Sequence, residues 1–307
     1  RWRAERAYGW KVADEINDFE PDVVISANTP LDAQRIIQIA SRKVGARFIY
    51  WLQDAISRAI IRALKEKNSF LGTVIGLYYQ WVEKALLRKS HDVIIISDDF
   101  MPLMDNWEIS SDKVHVISNW APVDQIIPQS HDNQWAQQMG LENTFNFLYT
   151  GILGLKHDPA IFLRLADHFR DEPDVRVVVL SRGEKFDWLR DEKDERGLHN
   201  LILFEFQPAD IYPQVLAAGD VLVSILRPDA GDYSVPSKVL SYLCAGRSIL
   251  LSIPTKNLAS KIVMNAGAGL GSPPENIARF LHKARRLYEN GELRANFAKS
   301  ARKYAEE

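Results

Sequence analysis

The 307-residue sequence has one cysteine, Cys244, so it can form no intrachain disulfide and need not come from an oxidising compartment. No apolar run reaches the roughly 18–20 residues that a membrane-spanning helix needs. No secretory signal pattern opens the chain. It begins instead at Arg1, within what reads as a helix, and is expected to be a piece of a longer protein. There is no charge excess: 38 Lys and Arg face 40 Asp and Glu, a net charge of −2, which excludes a bulk nucleic-acid binder. The seven histidines form no His-x-His or His-x-x-x-His pair, so no metal site is expected. A Walker loop, a Gly-x-Gly-x-x-Gly fingerprint and a Gly-x-Ser-x-Gly elbow are all absent.

What is present is ordinary globular usage, 46% hydrophobic and 25% charged, over a length that suits two domains. Short apolar strands alternate with helices. Strands are predicted at 22–26, 47–51, 92–96 and 113–117, with a helix from Thr29-Pro30 toward Val44. Between Asn119 and Asn146 the alternation lapses into Pro, Gln and Ser, which predicts a linker. It then resumes with strands at 145–150, 175–180, 201–204, 221–226 and 249–252, and helices that include 184–195 and a terminal stretch over 275–305. Continuous β-branched strands separated by helices predict an α/β protein with parallel sheets covered on both faces. The domains are placed at 1–143 and 144–307. Ligands of such sheets sit beyond the carboxyl ends of the strands, so the loops after strands are the candidates.

Three such loops stand out. Ser234-Val235-Pro236-Ser237-Lys238 follows a strand and opens a helix, where free N–H groups attract anions. Ser234 or a neighbour is expected as the cap, with Pro236 in the first turn. Lys238 has the wrong sign for the helix dipole there, which a bound anion would offset; a solvated lysine is the alternative. Gly151-Ile-Leu-Gly154-Leu-Lys156 follows the strand at 145–150 and reads either as a phosphate-approaching loop or as a plain turn. Arg182-Gly183 follows a third strand; Arg182 reads as a partner of Glu184 or Asp187, with ligand contact as the alternative. Asp98-Asp99 reads as a helix cap.

Charge is unevenly spread. Residues 42–89 carry ten basic and three acidic side chains, net +7, with Trp51, Phe70, Tyr78, Tyr79 and Trp81 among them. Basic and aromatic residues on amphipathic helices suit an anionic lipid surface; a core helix with a solvated basic face is the alternative.

With these residues in view, the sequence resembles the nucleotide-sugar glycosyltransferases of family 4, over essentially the whole chain. The most specific match is Ser234-Val-Pro-Ser-Lys-Val-Leu-Ser-Tyr-Leu-Cys-Ala-Gly-Arg247. Tyr149–His157, Ser97 and Phe100 with Ile117–Trp120, and Leu52-Gln-Asp54 support it. The likeness is nearest to the L-fucosamine transferase-like branch of capsule, O-antigen and colanic acid synthesis. It implies the GT-B fold, two Rossmann-like domains facing a cleft, here with an incomplete N-terminal domain. It implies a retaining, metal-independent transferase without cofactor that uses a nucleotide sugar, UDP-linked by preference. Lys156 and Lys238 are the implied catalytic pair. Gly151, Gly154, Arg182, Gly183, Ser234, Val235, Ser237 and Ser241 are the implied donor-binding residues, and Asn28, Gln53 and Asp54 the acceptor-side ones. The implied acceptor is a lipid-linked sugar or a saccharide, and the implied location is cytoplasmic, peripheral on the inner face of the plasma membrane. The sequence departs from the family pattern where a pair of glutamates falls on Tyr233 and Ser241, an arginine on Ile152 and a histidine on Gln53. A nucleotide-sugar 2-epimerase and a non-catalytic nucleotide-sugar-binding or scaffold protein are the competing readings.

Overall fold

The structure is a computed structural model that describes residues 2–65, 70–231 and 234–307, apart from the side chains of Ala63, Lys65, Phe70 and Leu71. The side chains of Lys65 and Phe70, and all of Lys67 and Tyr233, which belong to the stretches read in the sequence, lie outside the described residues. The chain divides into two compact units, Arg1–Asn119 and Trp120–Glu307.

In the first unit, helices α1 (Trp2–Phe19), α2 (Leu31–Lys43), α3 (Ile56–Lys65), α4 (Phe70–Lys89) and α5 (Met101–Asn106) accompany strands β1 (Val23–Ala27), β2 (Arg47–Leu52), β3 (Asp92–Ile95) and β4 (Val114–Val116). The strands form one parallel sheet in the order β1-β2-β3-β4. Gly9 lets α1 lie close on α2: a Cβ there would stand 2.8 Å from Ala33 Cα. The start of α3 is held by Glu83 of α4, which accepts from the Ile56 and Ser57 amides at 3.0 Å each and from Ser57 Oγ at 2.5 Å. Ser97, rather than Asp98 or Asp99, is the cap of the turn it opens; its Oγ accepts from Asp99 N.

In the second unit, α6 (Gln134–Met139), β5 (Phe145–Thr150), α7 (Ala160–His168), β6 (Val175–Leu180), α8 (Glu184–Glu195), β7 (Leu201–Phe204) and α9 (Tyr212–Ala217) come first. Then follow β8 (Val221–Ile225), α10 (Lys238–Cys244), β9 (Ser248–Ser252), α11 (Leu258–Asn265), β10 (Gly269–Ser272), α12 (Ile277–Glu289) and α13 (Gly291–Glu306). The sheet is parallel with order β10-β9-β8-β5-β6-β7. Every residue of β5, β8 and β9 is buried, as expected of strands covered on both faces. The connectivity reverses between β5 and β8, the position at which open α/β sheets place their ligands.

Three features differ from expectation. Residues 120–143 group with the second unit rather than the first. They bury Ile126, Trp135 and Leu141, and Arg247 and Arg302 donate to their carbonyls. The strand β10 is new; its Gly269 sits where a Cβ would meet the Ile249 carbonyl oxygen at 2.0 Å. The terminal stretch is two helices, because the Asn290 side chain caps α13 by accepting from Leu293 N.

Candidate active site

The loops after β5 and β8 bring four of the expected residues together. After β5, Gly151 adopts φ +138°, a conformation that side chains resist. A Cβ at Gly151 would stand 2.6 Å from Lys238 Nζ, so any other residue there would push the amine aside. The Lys238 Nζ lies 3.7 Å from the centre of the Tyr149 ring. Lys238 is half-buried as a residue, yet its Nζ is buried and has no hydrogen-bond partner among the described residues. Burial, and then the charge of Lys156, push its pKa well below the ordinary lysine value. Lys156 Nζ donates to Ser234 Oγ at 2.6 Å, tying the β5 loop to the β8 loop, and Arg227 N donates to the Lys156 carbonyl at 2.9 Å.

Histidine 157 makes this corner rigid. Its Nδ1 accepts from Gly154 N at 3.1 Å and its carbonyl accepts from Lys185 Nζ. Burial, followed by Lys238, Lys156 and Lys185, drives its pKa down to about 2, so the ring stays neutral. The Lys156 and Lys238 amines and a neutral imidazole stand together in this corner. Such a corner suits a phosphate group.

Of the cap candidates, Ser234 or a neighbour, it is not Ser234 that stands at the helix start; its hydroxyl accepts a hydrogen bond from Lys156 Nζ. Ser237 occupies the cap position, exposed and without a side-chain cap bond. Helix α10 is only seven residues long, so the lysine side chains, more than the helix end, supply the positive charge. Val235 is half-buried in the same loop. Asn257, which caps α11, donates to the Ser234 carbonyl at 2.8 Å and to the Gly231 carbonyl at 3.0 Å, fixing the loop from behind.

Beside this corner lies a cavity of about 590 Å³, within the range of small-molecule sites, whose lining includes Ile126, Thr150, Phe206, Tyr212 and Ser241. Ser241 faces it from α10. Arg182 reaches neither Glu184 nor Asp187: it lies 5.3 Å over the Phe206 ring, and Asp187 pairs with Arg190. Gly183 precedes α8 at φ +95°. The Tyr242 hydroxyl accepts from Thr150 N at 3.2 Å and locks α10 onto the end of β5. Tyr212 was not singled out in the sequence, and Tyr149 and Tyr242 entered only as members of matched stretches; an aromatic at core spacing carries no signal of its partner across the sheet.

In the first unit, Asn28 and Gln53 meet at the ends of β1 and β2, Asn28 Nδ2 donating to Gln53 Oε1 at 3.2 Å. Asn28 takes φ +47°, and Asp54 follows half-buried. Among the described residues, no group of three or more His, Cys, Asp or Glu is placed to hold a metal ion, and no helix is long and apolar enough to cross a membrane.

Comparison with known proteins gives the family and the fold. Residues 132–304 match the family model of glycosyl transferases group 1. WcaI of Escherichia coli (strain K12), whose name assigns it to colanic acid biosynthesis as a glycosyl transferase, is 25% identical over 239 residues, 76% of this chain. The matched region is 58% of that relative's length. Among solved structures, Anabaena Alr3699/HepE in complex with UDP and glucose superposes with a TM-score of 0.75 at 17% identity, covering 96% of this chain and 76% of that one. WaaG, a glycosyltransferase involved in lipopolysaccharide biosynthesis, superposes at 0.70 and 15% identity, covering 98% and 91%. The two parallel sheets are those of the GT-B fold.

Proposed function

Given that the chain belongs to the glycosyl transferases of group 1, we propose that it moves a sugar from a nucleotide donor, UDP-linked by preference, to a lipid-linked or polysaccharide acceptor in bacterial surface polysaccharide synthesis. The observation that carries this reading is Lys238 Nζ, buried without a hydrogen-bond partner among the described residues and facing a backbone that only glycine can provide. A buried polar group in that state carries a cost that an anionic ligand would offset.

In the proposed reaction the bond from the sugar's anomeric carbon to the diphosphate oxygen breaks. A new bond forms from that carbon to the acceptor hydroxyl oxygen, and the acceptor proton leaves with the nucleoside diphosphate. Lys238 and Lys156 take the charge that develops on the departing diphosphate, preorganised where it appears. Such charge placement supports a metal-independent reaction; retention of anomeric configuration comes from the family resemblance alone. Gly151, Gly154, Ser234, Val235 and Ser237 shape the diphosphate end of the donor site, and Arg182 and Gly183 with Phe206 its nucleoside end. Asn28, Gln53 and Asp54 are assigned to the acceptor. The names of WcaI, HepE in complex with UDP and glucose, and WaaG support a UDP-linked donor and a surface polysaccharide product. An L-fucosamine-type sugar is the branch that the sequence resemblance favours.

The first unit supports a peripheral position on the cytoplasmic face of the plasma membrane. Trp81, Leu77 and Tyr78 of α4 are 61%, 56% and 45% exposed, in the stretch that carries the basic excess.

Calorimetric titration of the protein with UDP and GDP tests the donor site. Saturable binding to one of them, lost in Lys238→Ala, is the expected result. No binding to either, or binding that Lys238→Ala leaves intact, overturns the reading. Binding without sugar transfer to any acceptor fraction would favour the non-catalytic alternative.

A further inference from the structure

The second unit holds another cavity, of about 470 Å³, at the carboxyl ends of β8 and β9, where Ile225 and Ser252 line it. That volume is within the range of small-molecule sites. Its walls include α7, α8 and the first residue of α12, whereas α9 and α10 wall the cavity beside the lysine corner. The two cavities share no lining residue, and neither Lys156 nor Lys238 lines this one. Three cationic side chains, Arg164, Lys185 and Arg227, stand around it with two carboxylates, Asp158 and Glu275. Lys185 also donates to the His157 carbonyl, and Arg227 also pairs with Asp229 at 3.4 Å, so both are held at the wall. Two further polar side chains of the lining are buried, Ser252 at 3% and His157 at 5% exposure. His157 Nδ1 accepts from Gly154 N, so the neutral ring carries its proton on Nε2. None of these side chains has a part in the proposed sugar transfer.

We propose that this cavity is a second ligand site, separate from the lysine corner, and that it takes a phosphorylated sugar. Each part of the lining has a counterpart in such a molecule. The arginines and Lys185 suit a phosphate, the guanidinium as a planar fork and the ammonium as a point charge. Ionised carboxylates accept and do not donate, so Asp158 and Glu275 call for a ligand that carries hydroxyl donors. The Ser252 hydroxyl both donates and accepts, as a sugar hydroxyl does. The apolar side chains of Ile161 and Ile225 offer a surface to the C–H face of a sugar ring. Inorganic phosphate alone would leave the carboxylates and the apolar wall without a partner. No Phe, Tyr or Trp lines the cavity, so a nucleobase would find no aromatic ring to stack on.

The test is calorimetric titration with the 1- and 6-phosphates of glucose, galactose and mannose, against inorganic phosphate and the neutral hexoses. It is run on the wild type, Lys238→Met, Arg164→Gln and Lys185→Gln. Arg164 is exposed on α7, so its replacement is expected to leave the fold intact, and a thermal melt checks this. At least one hexose phosphate is expected to bind saturably, and more tightly than inorganic phosphate or its own neutral hexose. Arg164→Gln and Lys185→Gln are each expected to weaken that binding about tenfold or more, the scale of one charge-assisted hydrogen bond. Lys238→Met is expected to leave it unchanged. Binding of none of the six phosphates, or binding no tighter than that of inorganic phosphate, would overturn the proposal. So would binding that is lost in Lys238→Met, which would place the ligand in the lysine corner, or binding that both Arg164→Gln and Lys185→Gln leave intact.

Discussion

Replacing Lys238 by methionine separates what this residue does for the fold from what it does for the ligand. The side chains have similar length, and a thioether keeps the contact with the Tyr149 ring. What disappears is an amine buried without a hydrogen-bond partner among the described residues. An unsatisfied buried polar group costs about 1–3 kcal/mol, and the Tyr149 face returns part of that while the amine is charged. A net gain of about 1–2 kcal/mol is expected for Lys238→Met in the ligand-free protein. For a unit of the size of Trp120–Glu307 that is a melting temperature higher by about 2–8 °C.

The dependence on pH has a definite sign. The folded-state pKa of Lys238 lies below its unfolded value, so unfolding takes up a proton between the two. The penalty is absent above the unfolded value, near 10.4, and grows as pH falls toward the folded one. The advantage of Lys238→Met is therefore largest near neutral pH and shrinks as pH rises toward 10. Differential scanning fluorimetry with and without UDP or GDP measures both halves. At a nucleotide concentration about 100 times Kd the wild type gains about 2.7 kcal/mol, whereas the variant gains nothing. A variant that melts lower than the wild type at neutral pH, or that still responds to nucleotide, would refute the reasoning.

Gly151→Ala places a Cβ 2.6 Å from Lys238 Nζ on a backbone at φ +138° and is expected to destabilise by about 1–3 kcal/mol and weaken UDP binding at least tenfold, read by melting and calorimetry. Glu83→Ala strips the acceptors from the Ile56 and Ser57 amides at the start of α3 and is expected to cost about 3 kcal/mol in urea unfolding followed by tryptophan fluorescence. Because burial raises the Glu83 pKa, its contribution is full at low pH and declines as pH rises through the folded value. Binding to anionic vesicles is expected to weaken with salt and in Trp81→Ser; vesicle binding that neither changes would remove α4 from the membrane surface.

The sequence made the second sheet legible because its central strands are short, mostly apolar runs set between helices, and Phe145–Thr150 and Val175–Leu180 match residue for residue. The loops that follow β5 and β8 were legible for the same reason, since glycine and lysine after a buried strand have few structural uses. The strand β10 was not: Gly269-Leu-Gly-Ser has no β-branched residue, and its glycine answers to the Ile249 backbone rather than to local propensity. Residues 120–143 read as a linker because proline and glutamine break the alternation, yet Trp135 and Ile126 pack onto the second unit. The burial of Lys238 Nζ and the meeting of Tyr212 with Ser241 depend on side chains from distant elements, which no spacing along the chain encodes.

Burial and the Lys156 charge set the state of Lys238, and Ser241, three residues along the same helix, offers no charge to oppose them. The family pattern that the sequence resembles has a glutamate at this position, three residues along the helix from the lysine. A carboxylate there would pair with the amine and hold its proton. Serine cannot, so in the free protein burial acts on Lys238 without a countercharge from its own helix face, and the pKa falls. A diphosphate supplies the missing charge and raises the Lys238 pKa back toward the ordinary lysine value, so binding draws a proton onto Nζ at pH between the two values. Calorimetry in buffers of different ionisation enthalpy is expected to reveal proton uptake when the wild type binds UDP or GDP. In Ser241→Glu the uptake is expected to shrink, because the carboxylate already keeps Lys238 charged. Binding without proton uptake in the wild type, or uptake unchanged in Ser241→Glu, would show that the charge of Lys238 is set by something other than the empty helix face beside it.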